Sequence, residues 1–133
     1  IAATDRFLDL ALTWLKGRAD SGANDTALLY VSDHGESLGE GGLYLHGVPW
    51  SIAPAEQTHV PMVAWLSTGM QARGGTRMDC LRGRSAEPLS HDNLFHSVLG
   101  LMNVETAAYS PALDALLPCS AQRPAAVALA PRG

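Results

Sequence analysis

The stretch YVSDHGESLGEGGLYLHG, residues 30–47, holds the side chains of this sequence whose types and spacing could do chemistry. Asp33 and His34 are adjacent, and a carboxylate oxygen beside an imidazole nitrogen supplies ligand types that Zn²⁺ and Mn²⁺ take in proteins. Neighbouring residues of an extended strand point to opposite faces, so both can reach one ion only where the backbone turns. Gly35 permits that turn, and the pair therefore predicts half of a tetrahedral metal site.

Other side chains of the same stretch are candidates for the remainder of such a site. His46 lies across a glycine-rich loop, either as a ligand of a neighbouring ion or as a hydrogen-bond donor to an anionic substrate. Glu36 and Glu40 are further candidate ligands, although acids in glycine-rich loops more commonly bind solvent or cap backbone amides. The competing interpretation of Asp33 and His34 is a turn-capping aspartate and a solvated histidine. A strand end, a long loop and a second histidine together favour the metal site.

The remaining histidines are assigned structural roles. His59 stands at the start of a predicted strand, the edge opposite the ligand-binding end if that strand is parallel. If the strand runs antiparallel at a sheet edge, its start lies near Asp33, so His59 stays a secondary candidate ligand. His91 follows a predicted helix cap and His96 lies in the same helix, where capping or packing is the commoner role.

The elements that must position these side chains alternate between helix and strand. Residues 26–32 form an almost continuous apolar run of strand length, which favours a central parallel strand ending at Asp33. Apolar spacing before it predicts an amphipathic helix that ends at Gly17. The apolar face of that helix comprises Phe7, Leu8, Ala11, Trp14 and Leu15. This order predicts an α/β fold, in which ligands gather at the carboxyl ends of strands.

The rest of the chain supplies a long loop, a second strand and a further helix. Residues 35–59 are glycine-rich without periodicity, and residues 60–67 form a second strand candidate. Residues 68–89 are predicted to be a Gly/Arg-rich connection, and Ser90 then caps a helix. The predicted buried face of that helix comprises Leu94, Phe95, Val98 and Leu99. Residues 111–118 predict one more short helical piece.

Composition restricts the function classes. The length of 133 residues suits one domain, and 47% hydrophobic with 17% charged residues is typical of a globular chain. The net charge of −4, with no basic stripe, excludes a nucleic-acid partner. The sequence has no phosphate-binding Gly-x-x-x-x-Gly-Lys loop, so a nucleotide-loop interpretation loses support.

The sequence also gives expectations about context. It has no run of apolar residues long enough for a membrane span, and no signal peptide or other targeting segment. It does not begin with methionine, and we expect a fragment whose N-terminal part lies elsewhere. Cys80 and Cys119 are the only cysteines, and their number leaves pairing open.

Two longer motifs extend the opening stretch: residues 30–67, which continue through Tyr-Leu-His-Gly and Gln-Thr-His-Val-Pro, and SHDNLFHSVLGL, residues 90–101. With these motifs the chain resembles the C-terminal part of the lipid A phosphoethanolamine transferases, the group that contains the colistin-resistance enzymes. That group belongs to the sulfatase and alkaline-phosphatase superfamily. The resemblance covers most of residues 1–120.

The resemblance implies a fold and a site. Residues 1–122 are expected to form the C-terminal portion of a sulfatase-like α/β sheet flanked by helices, followed by a disordered tail, 123–133. In the family the Asp-His pair ligates a catalytic zinc, which carries over to Asp33 and His34. The family histidine that matches His46 lies beside the zinc and is associated with substrate phosphate or a second metal.

The resemblance also implies a reaction. The family passes phosphoethanolamine from phosphatidylethanolamine to a lipid A phosphate through a threonine nucleophile, at the periplasmic face of the bacterial inner membrane. That threonine and a zinc-ligating glutamate lie in an upstream part of the catalytic domain, after a membrane domain, and neither has a match here. We therefore expect the isolated chain to be inactive. The alternatives are another sulfatase-superfamily hydrolase, a phosphoglycerol transferase, or an inactive remnant.

Overall fold

A computed structural model describes residues 2–121. The first element, α1 (Ala2–Asp20), continues through Gly17, where the sequence predicted its end. It packs against the strand that follows it. The predicted apolar face is partly wrong, because Phe7 and Trp14 are 65% and 66% exposed while Leu8 and Leu15 are half-buried. Within the described residues, Leu8 and Leu15 are therefore the partly covered side of that face, and Phe7 and Trp14 face solvent.

Two strands pair at the centre of the described residues. β1 (Ala27–Val31) and β4 (Met62–Leu66) lie within the predicted runs, and they pair antiparallel with Ala27 opposite Leu66 and Val31 opposite Met62. The expected parallel pairing is wrong for these two strands. The connection between them leaves β1 and enters β4 at the same end of the sheet, whereas a parallel pair needs a crossover. The start of β4 thus lies beside the end of β1.

The connection between these strands, predicted as a loop, contains its own short elements. β2 (Ser37–Leu38) and β3 (Tyr44–Leu45) form a small antiparallel hairpin. A 3₁₀ turn at Glu40–Gly42 closes the hairpin. A second 3₁₀ turn (Trp50–Ile52) and α2 (Ala55–Thr58) lead back to β4.

The segment after β4 holds helices where the sequence predicted a connection. α3 (Thr68–Gly74) is capped by the Ser67 hydroxyl, which accepts a hydrogen bond from the Met70 amide, and α4 (Met78–Gly83) follows. A disulfide between Cys80 and Cys119 joins α4 to the 3₁₀ turn Leu117–Cys119, with Cα atoms 5.6 Å apart. The pairing that composition left open is therefore present.

The last helix, α5 (Asp92–Leu101), has His91 at its N-cap position rather than the predicted Ser90, although the Ser90 hydroxyl does accept a hydrogen bond from the Asp92 amide. Its predicted buried face is partly wrong, because Phe95 and Val98 are 54% and 41% exposed. The fully buried residue is Ser97, whose hydroxyl accepts a hydrogen bond from the Ala115 amide. The inner side of α5 meets the backbone of the following segment, so small polar groups pack there better than large apolar ones.

The buried apolar side chains of the described residues gather where β4, α3 and the C-terminal segment meet. They are Leu66, Met70, Tyr109, Leu116 and Cys119. The predicted short helical piece corresponds to 3₁₀ turns at Pro111–Leu113 and Leu117–Cys119. No described helix has both the length and the apolar character needed to cross a membrane. The predicted disordered tail, 123–133, lies outside the described residues.

Candidate metal centre

Asp33 and His34 follow the end of β1, at the edge that the sequence predicted. Asp33 Oδ2 lies 3.8 Å from His34 Nε2, and the Asp33 side chain is 88% exposed. The other carboxylate oxygen, Oδ1, accepts a hydrogen bond of 3.1 Å from the His34 amide. The backbone thus turns after β1 so that the two side chains lie on the same side, as a shared ion requires.

The His34 ring is fixed in the tautomer that a metal ligand needs. His34 Nδ1 lies 2.9 Å from the Gly35 carbonyl oxygen. Because a carbonyl can only accept, Nδ1 carries the proton and Nε2 keeps its lone pair. Metal-ligating histidines commonly hold their other nitrogen in this way.

The pair fits a zinc ion by donor type and spacing. In a tetrahedral site, ligand atoms at the usual Zn–N and Zn–O distances of about 2.0–2.2 Å lie roughly 3.3–3.6 Å apart. The observed separation of 3.8 Å is slightly longer, so a small side-chain rotation would bring the two atoms to that spacing. Asp33 and His34 would therefore hold a zinc ion without rearrangement of the backbone, and the other ligands would come from elsewhere.

A second group of side chains shares His34. One potential ligand atom from each of His34, Glu36 and His46 lies within 4.8 Å of the others, and all three residues are exposed. The two imidazole rings stack with centroids 3.9 Å apart. His46 Nδ1 lies 3.0 Å from Glu36 Oε2, so its N–H donates to that carboxylate. Asp33 does not belong to this group, so Asp33 and the Glu36–His46 pair are separate partners of His34.

The small hairpin brings Glu36 and His46 together. In its register Ser37 lies opposite Leu45, so one further step along both strands places Glu36 opposite His46. Leu45 adopts the left-handed region at φ 66°, which few non-glycine residues do, and His46 follows it directly. Pairing of β2 with β3 thus brings His46, which is distant from Asp33 in the sequence, back to the segment that follows Asp33.

Contacts with α2 hold the segment between the ligands and the hairpin. The Gly35 amide donates to the Gln57 carbonyl oxygen at 3.0 Å. Gln57 Nε2 also donates to Ser37 Oγ at 2.8 Å, and these two side chains are 6% and 1% exposed. A Cβ at Gly35 would overlap the Glu56 carbonyl oxygen, so this position needs glycine for close approach of two backbones.

The remaining candidates lie outside the group. His59 is exposed at the end of α2, where its amide donates to the Ala55 carbonyl oxygen at 2.7 Å. Because β4 runs antiparallel to β1, His59, which precedes β4, lies at the end of the sheet where β1 finishes. Glu40 caps the hairpin: its Oε2 accepts from the Leu38 amide at 2.7 Å, and backbone N–H groups, first its own and then that of Leu38, lower the pKa of its carboxyl. The capping alternative describes Glu40 correctly.

Sequence reasoning missed the supporting residues. Ser37 and Gln57 both lie within the motif of residues 30–67, yet neither was singled out as a candidate, because the chemistry was sought in carboxylates and imidazoles. Ser32 was placed inside the strand, yet its hydroxyl donates to the His34 carbonyl oxygen at 2.8 Å. His91 was assigned to capping, yet its Nε2 lies 2.7 Å from the Ser32 carbonyl oxygen.

Known proteins resemble this chain over most of its length. Phosphoethanolamine transferase EptA of Salmonella typhimurium is 49% identical over 116 residues, which are 86% of this chain and 21% of the relative. Phosphatidylethanolamine transferase Mcr-1 of Escherichia coli is 41% identical over 104 residues, 78% of this chain and 17% of the relative. The chain therefore spans only about a fifth of the length of these curated relatives.

Solved structures confirm the α/β fold. The soluble domain of lipooligosaccharide phosphoethanolamine transferase A from Neisseria meningitidis superposes with a TM-score of 0.81 at 43% identity, covering 90% of this chain and 35% of that one. The C-terminal periplasmic domain of phosphoethanolamine transferase EptC from Campylobacter jejuni gives 0.73 at 41% identity, covering 86% and 34%.

These relatives confirm the predicted resemblance to phosphoethanolamine transferases. The roles of Asp33, His34, Glu36, His46 and His59 stay predictions. A family model described as Sulfatase matches residues 1–104. The chain belongs to the sulfatase family.

Proposed function

We propose that this chain forms the metal-holding, C-terminal part of the catalytic domain of a zinc-dependent phosphoethanolamine transferase. The activities for which the relatives are named support the reaction class, and their identity of 41–49% over most of the chain supports carrying it over. Residues 1–122 belong to that domain in this proposal. The fold likeness to soluble and periplasmic transferase domains supports a periplasmic location.

The observation that carries the proposal is the Asp33–His34 pair at the end of β1. A carboxylate oxygen and an imidazole nitrogen with its lone pair exposed stand 3.8 Å apart. A neutral imidazole oriented by a carbonyl and an ionised carboxylate are the protonation states that bind zinc. Asp33 and His34 are the proposed ligands, and the others would come from residues outside this chain.

His34, His46 and Glu36 have different roles in the proposed site. Zinc, when bound, lowers the pKa of a coordinated hydroxyl and neutralises charge on a phosphoryl group. His34 stacks on His46, so a phosphoryl group beside the proposed ligands would also lie within reach of the His46 imidazole. Glu36 accepts the Nδ1 proton of His46, so Nε2 could bind a second metal through its lone pair in the neutral imidazole, or donate to a phosphate oxygen in the imidazolium.

The finer parts of the proposal concern groups outside this chain. A threonine outside the chain takes the phosphoethanolamine group from phosphatidylethanolamine and passes it to a lipid A phosphate. The protein containing this domain stands at the periplasmic face of the bacterial inner membrane, joined to a membrane domain. Because the nucleophile is not among these residues, the isolated chain is expected to show no turnover.

Zinc titration tests the proposed ligands. In the protein at its natural length we expect Asp33→Ala and His34→Ala each to weaken zinc binding by at least about 100-fold, because each removes a ligand. Asp9→Ala, which changes an exposed carboxylate on α1, is the matched control and should bind as the wild type does. Unchanged zinc stoichiometry and affinity in both ligand variants would remove this site from the proposal.

A second candidate function follows from the breadth of the family. The sulfatase match over residues 1–104 also fits a hydrolase or a phosphoglycerol transferase that shares the Asp-His-Gly motif. Incubation with phosphatidylethanolamine and lipid A separates the candidates. Phosphoethanolamine on the lipid A acceptor supports the transferase, and release of product to water alone would favour a hydrolase.

A further inference from the structure

We infer that His91 is a positioning residue for the Asp33–His34 pair, an inference that rests on the proposed zinc function. His91 lies immediately before α5, yet its side chain reaches the end of β1, far away in the sequence. There Nε2 lies 2.7 Å from the Ser32 carbonyl oxygen. The carbonyl can only accept, so Nε2 carries the proton and donates it.

This hydrogen bond fixes the peptide unit that precedes Asp33. The Ser32 carbonyl and the Asp33 amide share one rigid plane, so holding the oxygen sets the direction in which the chain leaves β1. The next-but-one peptide unit, between His34 and Gly35, is held on both edges. Its carbonyl oxygen accepts from Ser32 Oγ at 2.8 Å, and its N–H donates to the Gln57 carbonyl at 3.0 Å.

Together these bonds bracket the two proposed ligands. The Asp33 side chain is 88% exposed, so packing contributes little to its placement, and the His34 side chain, 43% exposed, packs against the His46 ring, which is itself exposed. The peptide units on either side therefore carry most of the positioning. On the side toward β1 the anchor is His91, and on the side toward the hairpin it is the backbone of α2.

Hydrogen bonds anchor both the helix that follows His91 and the turn that contains it. Its helix is tied to the C-terminal segment, because Asn93 Nδ2 donates to the Leu113 carbonyl at 2.9 Å and Ser97 Oγ accepts from the Ala115 amide at 2.9 Å. The Ser90 amide donates to Asn93 Oδ1 at 2.8 Å, which fixes the turn containing His91. Motion of the ligand pair away from its place would thus have to break a contact to an anchored helix.

The test compares amide replacements of His91 in the protein at its natural length. The amide nitrogen of Gln can occupy the place of His Nε2, whereas that of Asn is one carbon shorter and cannot reach Ser32. We expect His91→Asn and His91→Leu to weaken zinc binding by about 10-fold, the lower end of the effect of outer-shell changes, and His91→Gln to restore it to within about three-fold. Thermal melting of each variant reports whether the fold is intact.

The outcomes separate this inference from the proposed function. If His91→Asn and His91→Leu melt at lower temperature but bind zinc as tightly as wild type, the contact is merely structural and the inference is wrong. Equal weakening in the Gln and Asn variants would also overturn it, because the donor position would not matter. If Asp33→Ala leaves zinc binding unchanged, the proposed metal site fails and this inference fails with it.

Discussion

Replacing Gly35 by alanine tests whether the contact with α2 holds the ligand segment. The added Cβ would overlap the Glu56 carbonyl oxygen and lie 2.9 Å from the carbonyl carbon and 3.1 Å from Gln57 Cα. These are backbone atoms, which cannot rotate away as the end of a side chain can. The two backbones must therefore separate, and the hydrogen bond between the Gly35 amide and the Gln57 carbonyl is lost.

The size of the effect follows from what that separation breaks. Losing the Gly35–Gln57 hydrogen bond costs about 1 kcal/mol, and weakening the buried bond between Gln57 and Ser37 costs about as much again. Overpacking adds about 1–3 kcal/mol, and the lower chain entropy of alanine in the unfolded state returns about 0.4–1 kcal/mol. We expect Gly35→Ala to lower the free energy of unfolding by about 2–4.6 kcal/mol.

Chemical denaturation measures this difference, and Gly17→Ala is the matched control. A Cβ at Gly17 meets nothing within 4 Å, and this residue lies inside α1. Alanine there should therefore stabilise the protein by about 0.5–1 kcal/mol. Gly35→Ala should also weaken zinc binding, since His34 is the preceding residue. A Gly35→Ala protein whose unfolding free energy lies within about 0.5 kcal/mol of wild type would refute the reasoning.

Two further changes test other parts of the chain. Replacing Cys80 and Cys119 by serine opens a loop whose ends are 39 residues apart, and the chain-entropy relation predicts a loss of about 4 kcal/mol in the free energy of unfolding. Chemical denaturation of the oxidised wild type and of the variant measures this loss, and an unchanged midpoint would contradict the prediction. The pKa of Glu40 is lowered in the folded state, so its support of the hairpin should be present above its ordinary value of 4.5 and be lost as pH falls through the lower folded value. Hydrogen exchange of the Leu38 amide followed against pH, with Glu40→Gln as the reference, checks this, and pH-independent protection would contradict it.

Local pattern predicted the strands well but not their direction. β1 and β4 fall within the runs 26–32 and 60–67, because apolar stretches of that length are recognisable by composition. Whether they run parallel depends on the path of the chain between them, and no local pattern in residues 32–61 records at which end that path returns. His59 was given two positions, one for a parallel and one for an antiparallel strand. The observed antiparallel pairing supports the second, in which the start of β4 lies beside the end of β1.

The missed helices show the limit of periodicity. α3 and α4 are only 7 and 6 residues long, so each is too short to show the apolar spacing that reveals an amphipathic helix. Ser67 was a usable signal for the start of α3, since it caps the helix through the Met70 amide. α5 was predicted from its apolar residues, but its tightly packed side is marked by Ser97, because it meets a backbone that needs hydrogen-bond partners.

The proposed ligands could be placed from the sequence and the contacts that hold them could not, for one physical reason. Asp33 and His34 are neighbours in sequence at a strand end, so residue type and position suffice to find them. The contact from α2 joins the Gly35 amide to the Gln57 carbonyl, and the contact from the start of α5 joins the His91 side chain to the Ser32 carbonyl. Both involve a backbone group of the ligand segment, and a backbone group leaves no signature in the sequence. Gly35 was singled out as a turn residue, yet the structure requires glycine there because Glu56 approaches so closely. Because the proposed ligands are exposed and His34 packs only beside another exposed ring, that of His46, their placement depends largely on such bonds, and changes at Gly35 and His91 should alter metal affinity although neither residue is a proposed ligand.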